Sequence, residues 1–240
     1  LDDSTSMFPF EVMRRCMVDS WEVWRDYQPY HPRPYAIRPT LGWIDADVLD
    51  PPYLFDNSGG GAFRKARGAS DQIVDEALNQ GFDHSIINPL LCGGAVVFCH
   101  NDQLPVLIPY LNGLFHRFVL LGWIKPNPSP MANKHYLADV EPFLHAWNPG
   151  YHPQGDHHDK HRWISSGTMP SRVFGHPTVK PNPVMDKIVR NVAGRTICDP
   201  FMGTGSTGVA AIKAGRQFVG RRPAVRRLRR PGAGHDQPGL

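Results

Sequence analysis

At 240 residues the chain has room for one large α/β domain, or for a domain with a modest insertion. Its 41% hydrophobic and 20% charged residues are those of an ordinary globular protein, with no apolar run long enough to span a bilayer and no basic-then-hydrophobic leader. The net charge of +4 says little about nucleic acid, because residues 221–240 carry six arginines and one acid, leaving 20 basic and 21 acidic residues in 1–220.

Residues 1–40 are aromatic and proline-spotted, and within them only Phe10–Trp24 has the pattern of a helix. Trp43–Val48 reads as a short strand running directly into Asp50-Pro51-Pro52-Tyr53. Residues 54–68 form a glycine-rich basic loop, of the kind that moves over a site. Asp71–Asn79 is a predicted helix, and Gly94–His100, rich in apolar residues, a predicted buried strand. Asn101 is the expected cap of a helix reaching about His116, and Phe118–Ile124 is the next strand. Pro, Gly, His and Trp dominate 125–175, although Glu141–Trp147 has the composition of a strand. Order returns with a helix over Pro183–Val192, a strand over Arg195–Cys198, a glycine loop, a helix through Ala214 and a strand over Gln217–Gly220. Such alternation predicts a mostly parallel sheet covered on both faces. The tail 221–240 is Arg, Pro and Gly without a packing pattern, and is expected to be disordered. The first residue is Leu, so the sequence is expected to begin inside a longer reading frame.

Three short motifs carry chemistry. In Ile197-Cys-Asp-Pro-Phe-Met-Gly-Thr-Gly-Ser-Thr-Gly208 a hydrophobic strand ends in an acid, and glycines precede a helix. Glycines permit positive φ and close approach of a ligand, and the helix start offers free N–H groups. A plain strand-to-helix turn would look similar. In Asp50-Pro51-Pro52-Tyr53 the prolines stiffen the backbone, so that the Asp50 carboxylate and the Pro51 carbonyl offer two acceptors in one direction. That suits an amino group with two hydrogens, while Tyr53 offers a flat face to a base. A rigid turn is the alternative. His176-Pro-Thr-Val-Lys-Pro181 is the third, and alone it would be only a loop before a helix.

Taken in this order, DPPY, HPTVKP and DPFMGTGSTG resemble the DNA amino-methyltransferases of the permuted β group, in which the catalytic motif precedes the cofactor motif. Trp123-Ile-Lys-Pro-Asn127 resembles a W-x-K-x-N segment of the same family. The resemblance covers residues 41–220. It implies a Rossmann-like α/β fold with a mostly parallel sheet and a small target-recognition insertion. It divides the chain into an N-terminal segment (1–40), a catalytic half (41–124), a target-recognition insertion (125–175), a cofactor-binding half (176–220) and the tail (221–240).

The resemblance also implies site roles and partners. Asp50, Pro51, Pro52 and Tyr53 would hold the target amine and its base. Thr178, Lys180, Asp199, Pro200, Phe201, Gly203, Gly205, Thr207 and Gly208 would hold S-adenosyl-L-methionine, and Lys125 and Asn127 would sit by the base pocket. The implied enzyme is cytoplasmic, bacterial or phage-encoded, and acts on double-stranded DNA with no membrane partner. A homodimer and a cognate restriction endonuclease are further implied partners. An Asp at the first catalytic position favours adenine N6; cytosine N4 is the alternative, and a catalytically impaired DNA-binding remnant is a second. Impairment is suggested by Arg221, which stands where the family carries an acid after Phe218-Val219-Gly220, and by the lack of a Gly-Asp in 1–40.

Cys16, Cys92, Cys99 and Cys198 form no CxxC pair and no disulfide framework, in keeping with a reducing compartment. No metal site is expected. His152, His157, His158 and His161 are irregularly spaced with no cysteine nearby, and His157–Trp163 reads better as a stretch facing DNA.

Overall fold

A computed structural model describes residues 34–54, 81–128, 136–168 and 179–220. The predicted helices at Phe10–Trp24 and Asp71–Asn79, nearly all of the loop 54–68, Thr178, and Arg221 with its tail lie outside them.

Among the described residues seven strands form one sheet: β1 (Ile44–Leu49), β2 (Cys92–Phe98), β3 (Arg117–Ile124), β4 (Val140–Trp147), β5 (Trp163–Ser165), β6 (Thr196–Asp199) and β7 (Gln217–Gly220). Their order across the sheet is β5-β3-β4-β2-β1-β6-β7. The pairings β2–β1, β1–β6, β6–β7 and β3–β5 are parallel, and only β4 runs against its neighbours β2 and β3. Every residue of β2 is buried, as expected of a central strand covered on both faces.

Among the described residues the α-helices are α1 (Pro34–Ile37, a single turn), α2 (Leu104–Leu114), α3 (Asn182–Asn191) and α4 (Ser206–Lys213). Alternation along the strands divides the core in two. Val48, Val96, Phe98 and Phe143 face α3 and α4, where they meet Val184, Ile188 and Ala210. Leu49, Ala95, Val97, Leu144 and Ala146 face α2, where they meet Leu107 and Leu111.

Most of the expected elements are present within two residues of their predicted limits. The helix expected from Asn101 starts differently. Asn101–Gln103 form a 3-10 turn before α2, and the capping residue is His100. Its ring accepts from the Asp102 N–H at 3.3 Å, while Gln103 accepts from the His100 N–H at 2.9 Å. This is a capping box built from a histidine in place of the usual hydroxyl or carboxylate residue. The short edge strand β5 was not anticipated, since three residues are too few to display a period. Both β4 and β5 come from 125–175.

Two polar links hold β1 in place, the second of them buried. The Asp45 carboxylate accepts from the backbone N–H groups of Arg195 and Thr196 at 2.7 and 2.9 Å, tying the start of β1 to the start of β6. Arg38, only 1% exposed, donates from Nε to both oxygens of Asp47 at 2.9 Å and also bonds the carbonyls of Gly42 and Leu91. Burial pushes the Asp47 carboxyl up to about 6 despite the Arg38 guanidinium beside it.

Candidate functional site

Because β1 and β6 are parallel neighbours, with Ala46 opposite Ile197 and Asp47 opposite Cys198, their C-terminal ends open on the same edge of the sheet. Asp50 follows the last residue of β1, and Asp199 is the last residue of β6. Two motifs about 150 residues apart in sequence are thereby brought side by side, at the edge where open α/β sheets bind ligands.

Asp50 stands in a cluster of four charges and a phenol. Lys180 donates to both Asp50 oxygens at 2.7 and 2.6 Å and reaches Glu141 at 3.1 Å. Lys125 pairs with the other Glu141 oxygen at 2.6 Å. The Tyr53 hydroxyl donates to Glu141 at 2.7 Å and lies 3.2 Å from Asp50. The Lys180 ammonium also lies over the rings of Phe98 and Tyr53, at 4.8 and 5.5 Å. Two carboxylates and two ammoniums balance, which is how such charges remain ionised in a site where the Lys180 side chain is 5% exposed and Glu141 12%.

The electrostatics follow from this pairing. Burial disfavours the Glu141 carboxylate, but Lys180 and Lys125 outweigh it and hold its pKa at about 2. Burial opposes the Lys180 ammonium too, yet Asp50 and Glu141 raise its pKa above the ordinary lysine value. Burial raises the Asp50 carboxyl, and Glu141 pushes the same way against Lys180. Burial of the Tyr53 hydroxyl, and the two carboxylates beside it, raise its pKa well above the usual phenol, and it stays protonated.

The second half of the site is the turn after β6. Asp199 accepts from the Phe201 N–H at 3.0 Å and from the Thr207 hydroxyl at 2.5 Å, so its carboxylate ties both ends of the turn together. Burial pushes its pKa up to about 7, against Thr207, and Asp50 pushes it further up. Gly205, the residue before α4, has φ 84°, a left-handed conformation that glycine adopts without a steric penalty. Among the described residues, the space a side chain would fill at Gly203 is bounded only by the Phe201 carbonyl, 3.7 Å away. This open backbone and the free N–H groups of the first turn of α4 fit a ligand pressed against the main chain. Gly208 has a different reason to be small. A Cβ there would lie 2.7 Å from the Phe218 ring of β7, so its hydrogen serves helix–sheet packing.

Of the residues singled out from sequence, Asp50, Tyr53, Lys125 and Lys180 meet in one hydrogen-bonded group, with the turn from Asp199 to Thr207 beside it. Lys180 reaches Asp50 itself, although the family resemblance placed it with the cofactor. Pro51 is buried and Pro52 half-buried. Asn127 bonds elsewhere: it is exposed, accepts from the Thr168 N–H at 2.9 Å and reaches the Thr168 hydroxyl at 3.2 Å. Phe201 sits edge-on between Tyr35 and Phe82. Glu141, which joins Tyr53 to both lysines, was missed. Its only trace in sequence is a single acid in the apolar run 140–147. Among the described residues no group of three or more His, Cys, Asp or Glu could hold a metal ion, and no helix is long and apolar enough to cross a membrane.

A mostly parallel sheet with helices on both faces, bearing acidic motifs at the ends of neighbouring strands, defines an open Rossmann-like α/β fold with a ligand site at that edge. Solved structures agree on the fold. The M1.HpyAVI–SAM complex matches with a TM-score of 0.55 at 22% identity, over 80% of this chain and 90% of that one. The cytosine-N4-specific PvuII DNA methyltransferase matches with 0.53 at 13% identity, over 80% and 79%. The family model described as DNA methylase, that of the N6/N4 methyltransferases, matches residues 93–222, and the chain belongs to this family. YubD of Escherichia coli (strain K12) is 33% identical over 80% of this chain and 88% of its own length. The type II methyltransferase M2.MboI of Moraxella bovis is 26% identical over 74% and 75%. A further match of another kind, 44% identical over 59 residues, is to the terminase ATPase subunit of Escherichia phage P2; it spans 25% of this chain and only 9% of that protein.

Proposed function

We propose that the chain transfers a methyl group from S-adenosyl-L-methionine to the exocyclic amine of a base in double-stranded DNA, at adenine N6. The observation that carries this is the placement of Asp50 and Pro51 beside the glycine turn that follows Asp199. The cofactor would supply a methyl group already activated on a sulfonium, so no metal is required. Gly203, Gly205 and the start of α4 would receive it against the backbone. The carboxylate of Asp50 and the carbonyl of Pro51 would accept the two amine hydrogens. An aromatic amine is a poor nucleophile because its lone pair is delocalised; two such hydrogen bonds favour a pyramidal nitrogen that can attack. Lys180 takes one lone pair on each Asp50 oxygen and leaves others for the substrate, since an ionised carboxylate has about four acceptor sites. Tyr53 would stack on the base, which must leave the duplex to reach this site.

Asp at the head of the catalytic motif favours adenine; cytosine N4 is the second reading, because PvuII shares the fold and is cytosine-N4-specific. The test is mass spectrometry of nucleosides from DNA treated with the protein. N6-methyladenine is the expected product, and N4-methylcytosine alone would replace the first reading with the second.

The proposed setting is a cytoplasmic restriction–modification system, with a cognate endonuclease and a homodimer as partners. The chain is further proposed to be impaired from Arg221, where the family has an acid suited to ribose hydroxyls; an arginine offers no acceptor there. Restoring an acid and a following helix after Gly220 should then tighten cofactor binding. Equal affinity and rate in the original and repaired proteins would mean that the tail is functional.

A further inference from the structure

The backbone around Glu141 is fixed from both sides. In the pairing of β4 with β3 it stands opposite Trp123, and the carbonyl of its neighbour Pro142 accepts from the Cys99 N–H at 3.2 Å, just beyond β2. Among the described residues, every side chain that reaches its carboxylate is a donor. Lys125 takes one oxygen at 2.6 Å, while Tyr53 and Lys180 share the other at 2.7 and 3.1 Å.

Tyr53 and Lys180 also reach Asp50, and the distances show how they divide. The Tyr53 hydroxyl is 2.7 Å from Glu141 Oε1 and 3.2 Å from Asp50 Oδ1. An O–H···O bond is about 2.5–3.0 Å long, so the phenol proton goes to Glu141 and the contact with Asp50 is weak. Lys180 has three N–H groups, and the two Asp50 oxygens with Glu141 Oε1 account for them. Its ammonium has no donor left over for a cofactor or a base.

This division decides what Asp50 can offer to a substrate. An ionised carboxylate has about four acceptor sites, and Lys180 occupies one on each oxygen. A full bond from Tyr53 would close Oδ1 and leave a single site, on Oδ2. Each added donor also draws charge from the carboxylate and weakens the next bond it accepts. Deprived of Glu141, the Tyr53 hydroxyl has Asp50 as its remaining acceptor.

We propose that Glu141 is a positioning residue for methyl transfer: by taking the Tyr53 proton and one Lys180 N–H, it keeps Asp50 Oδ1 open to the substrate amine. Holding Tyr53 by its hydroxyl also fixes the ring plane offered to the base. The inference rests on the reading of Asp50 as the acceptor of that amine. Glu141 itself acts through Tyr53 and Lys180, not on the base or the cofactor.

Glu141→Met removes every acceptor at similar length, and Glu141→Gln keeps one. With tritiated S-adenosyl-L-methionine and unmethylated genomic DNA, kcat should fall about tenfold or more in Glu141→Met and less in Glu141→Gln, at unchanged KM for the cofactor. The decisive change is Tyr53→Phe, which keeps the ring and deletes the hydroxyl. Added to Glu141→Met, it should restore kcat about threefold, whereas damage to the fold would not be mended by a second loss. If Glu141→Met does not fold, Glu141→Gln carries the same comparison with smaller effects.

A readout that needs no turnover is the Asp50 carboxyl, followed by carbon NMR in aspartate-labelled protein and assigned with Asp50→Asn. Tyr53→Phe should raise its titration midpoint more in the Glu141 variants than in the parent, because there the phenol binds Asp50 fully. An effect of equal size in both backgrounds, unchanged kcat in Glu141→Met, or no rescue by Tyr53→Phe would overturn the proposal. With label entering DNA from the parent protein, those results would spare the methyltransferase reading. The expected NMR result without any label in DNA would sink that reading, and the role in methyl transfer with it, and leave only the steering of Tyr53.

Discussion

Lys180 and Asp50, 130 residues apart in the chain, share two hydrogen bonds of 2.7 and 2.6 Å at the edge of the sheet. The motif that ends β1 and the motif that precedes α3 thus meet in one ion pair, and Glu141 binds both Lys180 and the tyrosine of the first motif. Changes at any of these three residues should be felt by the other two.

Asp50→Asn preserves volume and removes the charge. Methyl transfer should fall about a hundredfold or more, the scale of losing a key polar contact to the reacting group. The dissociation constant for S-adenosyl-L-methionine should change little, because the turn after Asp199 is untouched. Equal losses of rate and cofactor affinity would contradict the assignment of Asp50 to the amine.

Glu141→Gln leaves Lys180 and Lys125 with one carboxylate between them. Removing one member of a buried charge group costs about 3–5 kcal/mol; the lower end is expected here, since Gln still bonds Tyr53. The Glu141 pKa is lowered to about 2 in the folded protein. Its stabilisation is therefore present above the unfolded carboxyl value of about 4.3 and is lost as pH falls towards 2. Urea midpoints of the two proteins should converge across that window. A gap that stays constant down to pH 2 would show that the charge is not what stabilises.

Asp199 has the opposite sign. Its pKa is raised to about 7, so the folded state holds a proton that the unfolded state has already released. This carboxyl makes the protein less stable as pH rises from about 4 to 7. Asp199→Asn, which can still accept from Phe201 N–H and donate to Thr207, should remove that slope. The difference between mutant and parent should grow by a few kcal/mol over this range, while contributions from other groups, His145 included, cancel. A difference independent of pH would mean that Asp199 is ionised throughout.

Gly208→Ala should destabilise by about 1–3 kcal/mol through contact with Phe218. Phe218→Leu in the same protein should recover most of the loss, giving a coupling energy that a double-mutant cycle measures. Cofactor affinity should move far less than in Gly205→Val, where the left-handed backbone and the approach of the ligand are both disturbed. A Gly208→Ala protein of normal stability that fails to bind cofactor would reverse this order.

Much of the sheet was legible from its strand composition and the turn residues that end each strand; the continuous apolar run of β2 is the clearest case. Asp50 and Asp199 were legible because each stands where a strand stops and Pro follows. What stayed hidden depends on contacts between distant segments. Glu141 sits in β4 without a local motif, and its role arises only when β4 pairs antiparallel with β2 and brings it to Tyr53 and Lys180. The direct bond from Lys180 to Asp50 leaves no period or spacing in the sequence. The histidine cap before α2 escaped notice because His rarely performs that task.

Arg38 gives the domain a lower limit that its motifs do not mark. With its guanidinium bound to Asp47 and to the carbonyls of Gly42 and Leu91, it is the plug beneath β1. A shortened protein starting at residue 41 would keep every catalytic motif and still leave a carboxylate sealed in an apolar interior without its cation. Any joint at which foreign sequence is spliced ahead of this domain must therefore fall upstream of Arg38, and a library of such fusions screened for soluble protein would find its edge there.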